Sequence, residues 1–167
     1  MATDDLVLTN GIFRLEFARR VTNAILADIP HDQWCRQSVP GANHATWTAG
    51  HLAAVDDFFM GQVGGLAPRC PAGWNELFGT GSKLSTDPAA YPAPEAVQQQ
   101  LAARRQELIS WFGSLSGAEL AAPMPEGLGR YAANVGELMP SIAWHEAYHT
   151  GQLNLVRKVL GLGALFK

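Results

Sequence analysis

The sequence predicts an all-α, antiparallel four-helix bundle. Four stretches carry apolar residues at helical spacing. None alternates with the period of two that a half-buried strand needs. A long Gly- and Pro-rich segment separates the second stretch from the third. The 167 residues fit a single domain spanning 1–167, large enough to bury a core without disulfide or metal staples.

The first helix is expected from about Thr9 to Asp28. Phe13, Phe17, Val21 and Ala24 share one of its faces, Thr9 or Asn10 can cap its start, and Pro30 stops it. The second is expected from Ala45 to Gln62. Trp47, His51, Val55 and Phe58 form its stripe, Asp56 and Asp57 lie off that stripe, and Gly64 and Gly65 follow as stop signals. Gly64 to Pro92 reads as a linker with a short helical turn near Trp74 to Phe78. A segment of this length is either a mobile connection or a binding lid. The third helix should open at Pro94, a residue suited to a first turn, and run through Leu101, Leu108 and Phe112 to about Leu115. Gly117 to Ala133 reads as a second loop. The fourth helix is expected from Asn134 to Leu160. Asn134 and Glu137 resemble a capping box, Pro140 should delay or kink the helix, and Gly161 ends it.

Composition removes several functions. Twelve Lys and Arg against fifteen Asp and Glu leave a net charge of −3, with no basic excess to hold a phosphate backbone, so no nucleic-acid partner is expected. No apolar run approaches the roughly 18 residues of a membrane span, so no membrane partner is expected either. The start, MATDDLVLTNG, lacks a signal peptide's basic residues and apolar stretch, and a cytoplasmic location is expected. Cys35 and Cys70 are too few for a disulfide framework and lack CxxC spacing.

The chemistry is carried by histidines. His145 and His149 are four apart, one turn up the same helix face, where two imidazoles can grip one metal ion. Leu138, Ile142, His145, His149, Val156 and Leu160 recur at spacings of three, four and seven, so both histidines sit on the stripe facing the core. His51 does the same between Trp47 and Val55. Buried imidazoles cost free energy unless each nitrogen finds a partner. One metal would satisfy three inward nitrogens together, whereas ordinary core histidines would bond hydroxyls or carbonyls. His145-Glu146-Ala147-Tyr148-His149 also matches HExxH, the pattern of zinc peptidases with Glu146 as base. Thr150 to Lys167 holds no His, Asp or Glu as a downstream third ligand, and no sheet edge is present to align a peptide, so peptide hydrolysis is set aside.

NHATWTAGHLAAVDDFF around His51 and IAWHEAYHTGQLNLVRKVLG around His145 and His149 resemble the DinB/YfiT-like superfamily over almost the whole chain. The shared features are Trp-x-x-x-His in the second helix and His-x-x-x-His-x-Gly-Gln in the fourth. The resemblance implies a bundle arranged up-down-down-up, a divalent metal on His51, His145 and His149, and a homodimer. Characterised relatives include metal-dependent transferases and isomerases that use low-molecular-weight thiols.

Three protein ligands leave a position open, as in catalytic zinc sites. Such a position can activate water or hold a thiol as its nucleophilic thiolate. Imidazole suits zinc, nickel, iron or copper, so ligand type does not choose the metal; zinc or nickel is expected first, with iron possible. The leading expectation is therefore a metal-dependent S-transferase or isomerase that binds a small-molecule substrate and a low-molecular-weight thiol. The alternatives are a small-molecule hydrolase using the same site, and a non-catalytic metal-binding stress or interaction module whose open position is sealed by residues 64–92.

Candidate catalytic residues are Glu146 and Gln152. Glu146, about 100° round the helix from His145, would act as base or orient His51, or else serve as a structural carboxylate. Gln152, three after His149, would bond a ligand-bound group or the backbone. Tyr148 reads as packing or a proton donor. Trp47, Phe58 and Phe59 read as core or pocket wall. His31 and His44 are expected to be exposed. Cys35 and Cys70 fall in loops with nothing to activate them. Arg104 and Arg105 are expected to face solvent or pair with carboxylates.

Overall fold

The computed structural model describes residues 2–165, with side chains described from Leu6 onward. Among the described residues six α-helices are formed: α1 (Ala2–Asp28), α2 (Ala45–Gly64), α3 (Trp74–Phe78), α4 (Pro94–Ser114), α5 (Gly117–Ala121) and α6 (Val135–Val159). The four long ones build the bundle. Apart from an isolated bridge between Pro123 and Asn134, the described residues hold no strand.

α1 lies along α6, and α2 lies along α4. Going up α1, Gly11 meets Met139, Arg19 meets Glu146, Thr22 meets Thr150 and Asp28 meets Arg157, so α1 and α6 run in the same sense. Asp56 meets Arg105 and Gly64 meets Trp111, so α2 and α4 also share a sense. Across the bundle α2 opposes α6, with Trp47 at His149 and His51 at His145.

Gly11 leaves room for the first of these pairings. A Cβ there would lie 2.5 Å from the Met139 sulfur, so any larger residue would force the Met139 side chain to move.

α1 differs from expectation at its start and in its buried face. It begins at Ala2, because Leu8 and Ile12 pack on the core and Val7 reaches Gly136 at the start of α6. Thr9 and Asn10 therefore lie inside the helix and cap nothing. The buried face is Leu15, Ala18, Arg19, Thr22, Ile25 and Leu26, followed by buried Ile29 just past the helix, while Phe13 and Phe17 are exposed. The face used by the helix contains an arginine and a threonine, which masked it in an apolar periodicity. α5 replaces the first part of the expected second loop. Ser116 caps it, and Glu119 returns the bond to the Ser116 backbone. α6 opens with Asn134 accepting from the Glu137 N–H and continues through Pro140.

The apolar interior forms two clusters. One surrounds Trp34, Leu52, Phe78, Leu101 and Leu153. The other surrounds Leu15, Phe59, Leu108, Phe112 and Met139. Between them lies a buried charged layer of Arg19, Asp56, Arg105 and Glu146, one residue from each long helix. Arg105 grips Asp56 with two bonds of 2.9 and 3.0 Å and reaches Glu146 at 2.7 Å. Arg19 reaches Glu146 at 2.7 Å and Asp56 at 3.2 Å. The guanidiniums also donate to the carbonyls of Leu101 and Leu15. Asp56, off the expected stripe, and Arg105, which takes the carboxylate-paired alternative expected for it, are thus interior because each supplies the other's counter-charge. Arg104 is buried too and donates to Glu107 at 3.0 Å.

Candidate metal centre

The two ends of the site come from α2 and α6, which cross at their histidines. His51, His145 and His149 bring one nitrogen each within 4.8 Å of one another. The nitrogens are all Nε2. His145 Nε2 lies 3.4 Å from that of His51 and 3.1 Å from that of His149. His51 and His149 are buried and His145 half-buried.

The outer nitrogens fix the ring orientations. His51 Nδ1 donates to the Phe78 carbonyl at 2.8 Å. His149 Nδ1 donates to Gln152 Oε1 at 2.9 Å, and that oxygen also accepts from Asn43 Nδ2 at 3.0 Å. With their protons on Nδ1, both rings aim a bare Nε2 lone pair inward. His145 Nδ1 is buried and has no partner among the described residues. If its proton is on Nε2, it can serve one neighbour and leaves Nδ1 unmet. If the proton is on Nδ1, three lone pairs face one another.

A cation bound by the three Nε2 atoms would relieve the facing lone pairs. Metal–nitrogen bonds of about 2.0–2.1 Å place ligand nitrogens about 3 to 3.4 Å apart, which the observed spacings match. Burial lowers the proton affinity of all three rings. For His145, burial and then the nearby His51 bring the pKa down to about 4. For His149, burial and the other two histidines do the same, to about 4. The rings are therefore neutral, as metal ligands must be.

The 65–92 segment is ordered and supports this geometry. The Trp74 indole donates to the Gly50 carbonyl, and the Phe78 ring sits where a Gly50 Cβ would lie, 2.3 Å away. Trp47 stacks on His51 at 4.5 Å and donates to Ser82 at 2.7 Å. His44, expected to be exposed, is fully buried: its Nδ1 accepts from the Trp47 N–H at the start of α2, and its Nε2 donates to the Ser85 carbonyl. It ties the segment to the helix that carries His51. His31 is exposed as expected and meets Glu95 at 2.8 Å.

Glu146 takes the place expected of a structural carboxylate. Its carboxylate is buried in the charged layer, and it makes no hydrogen bond to any of the three histidines among the described residues. Burial would raise its pKa, but Arg19 and Arg105 outweigh that and hold it below the usual range. A carboxylate so held is a poor base. Gln152 is near the centre but behind it, holding His149 from its outer nitrogen. Tyr148 is exposed, with its edge toward His149 at 5.3 Å. Phe59 is buried and Phe58 exposed. Cys35 is buried. Burial raises the Cys70 thiol to about 12, aided by Asp57.

A cavity of about 680 Å³ opens on this centre. His51 and His145 line one part, and Val55, Phe59, Ile142 and Trp144 supply apolar wall. Arg130 and Tyr131, from the loop before α6, line another. Sequence reading missed these two. It also missed the Phe78 carbonyl, since a backbone acceptor leaves no trace in residue type.

A four-helix bundle with an open-sided cluster of three inward histidines defines the class: a helical domain whose histidines could hold a metal ion. A match to the DinB superfamily over residues 14–153 shows that the chain belongs to that family. A solved structure of a conserved protein from Enterococcus faecalis superposes with a TM-score of 0.70 at 18% identity, covering 92% of this chain and 96% of that one, and so shares the fold. No curated protein is significantly similar to the chain.

Proposed function

We propose that the protein is a metal-dependent enzyme, with His51, His145 and His149 holding a divalent ion, zinc or nickel in first place, and that it transfers a low-molecular-weight thiol to a small electrophile. The convergence of three Nε2 atoms, two of them oriented by outer hydrogen bonds, carries this reading. Bound there, the ion would supply Lewis acidity that favours the thiolate over the thiol. The protein's own groups do the rest. Phe78 and Gln152 fix two rings, and the apolar wall limits water. In the transfer, the sulfur forms a bond to an electrophilic carbon and the leaving group departs with its electron pair, the thiol proton having gone to solvent.

The cavity on His51 and His145 weighs against a sealed, non-catalytic module. Glu146 acts by anchoring α6 through Arg19 and Arg105, and Gln152 by positioning His149. No helix among the described residues is long and apolar enough to cross a membrane. A reducing, cytoplasmic setting suits the free cysteines Cys35 and Cys70. A homodimer would cover Phe13 and Phe17 on α1 and Trp144 and Tyr148 on α6, all exposed. Sedimentation equilibrium reporting a monomer would remove that part.

The test is an optical titration of the cobalt(II)-loaded protein with N-acetylcysteine at millimolar concentration. A new sulfur-to-cobalt charge-transfer band is expected. No band, with ester hydrolysis that vanishes in His145→Ala, would replace the transferase by the hydrolase.

A further inference from the structure

The metal centre accounts for one part of the cavity, and the α5–α6 loop supplies a second polar feature. Tyr131 is fixed there three ways. Its carbonyl accepts from Ser141 Oγ at 2.5 Å, its N–H donates to the Leu128 carbonyl, and its ring meets Phe59 edge-on at 5.2 Å. Ser141 is one turn before His145 on α6, about 6 Å along the helix, so the loop is pinned beside the histidines. Arg130 lies over the Tyr131 ring at 4.7 Å and donates to its hydroxyl at 2.7 Å. The guanidinium is exposed, lines the cavity against the Tyr131 ring, and has no carboxylate partner among the described residues. Arg104 and Arg105 of α4, the two arginines considered from the sequence, are buried inside the bundle.

We propose that Arg130 is a specificity-determining residue that binds the carboxylate of a small organic acid, whose apolar body lies against Val55, Phe59 and Ile142 and whose far end reaches the histidines. A planar guanidinium offers a carboxylate two parallel donors, and Val55, Phe59 and Ile142 line the same cavity as Arg130 and His145, with Ser141 as a polar neighbour. Glu76 of α3 also lines the cavity and is not paired to Arg130. It disfavours a second negative charge near α3, so the acid carries one carboxylate. This inference rests on the cavity being the substrate site of the proposed enzyme.

The experiment compares 3-phenylpropanoate with its uncharged amide, 3-phenylpropanamide, as NMR-detected ligands of the zinc-loaded protein. Metal content is measured on each sample. The parent should prefer the carboxylate by about tenfold, the scale of a charge-assisted bond, and the preference should fall with added salt. In Arg130→Gln it should drop to near parity with the zinc content unchanged. Arg130→Lys, which keeps the charge without the fork, should retain part of it. An undiminished preference in Arg130→Gln would put the carboxylate elsewhere and overturn the inference, as would no preference in the parent. Failure of the metal reading shows separately, as protein without zinc. The carboxylate preference is then read on that metal-free protein and on its Arg130→Gln form.

Discussion

At the scale of single residues, the centre depends on groups that touch the rings from behind. Gln152 Oε1 holds His149 in the tautomer that presents Nε2 inward. Loss of such an outer bond typically costs 10- to 100-fold in metal affinity. Gln152→Ala should weaken zinc binding by about tenfold or more, read by competition with a chromophoric chelator, with helicity unchanged; equal affinity would leave Gln152 without a positioning role. The same burial sets a pH dependence. The metal-free fold keeps His145 and His149 neutral down to about 4, while the unfolded chain protonates them near 6.5. Below about 6.5 the unfolded state therefore binds more protons, so stability is full above that pH and falls as pH drops toward 4. Urea midpoints of metal-free protein should be lower at pH 5 than at pH 7, and His145→Ala/His149→Ala should flatten the difference. The three histidines were legible in the sequence because their spacing is a one-dimensional pattern. Arg130 was not, because its meaning comes from Ser141 and Tyr131 bringing a loop to the helix.

At the scale of elements, α2 and the segment after it act as one unit. His44 begins α2, Trp47 and His51 follow at three- and four-residue steps, and the chain returns through α3 to place Phe78 on His51. Gly50 makes this possible, since any side chain there would strike the Phe78 ring. Gly50→Ala should cost about 1–3 kcal/mol by overpacking and should also loosen metal binding, because displacing the ring shifts the Phe78 backbone whose carbonyl holds His51. Calorimetry and the chelator competition read the two effects. A variant that lost stability but bound zinc as tightly would detach α3 from the centre. The turn at Trp74 to Phe78 was legible, but its purpose was not: a glycine on the buried face of α2 shows no contact until the chain folds back. Ser116 and Glu119 differ, since their S-x-x-E spacing was readable as a capping box and would have placed α5.

At the scale of the whole molecule, the four long helices meet at the layer of Arg19, Asp56, Arg105 and Glu146. This layer explains why apolar periodicity found four helices yet assigned the wrong face to α1: the interior is charged at mid-height, and a pattern of apolar residues passes over it. Arg105→Met removes a counter-charge from buried Asp56 and Glu146 and should destabilise the fold by about 3–5 kcal/mol, measured by urea unfolding. A change under 1 kcal/mol would mean the layer is not a structural tie. The central claim is that α2 and α6 share one metal site, and metal analysis of untagged protein tests it most directly. The parent, His51→Ala and His145→Ala/His149→Ala would each be reconstituted with zinc, nickel and iron. The account predicts close to one ion per chain in the parent and none in either variant, all three remaining helical by circular dichroism. No ion in the parent, or an ion kept by both variants, would contradict it.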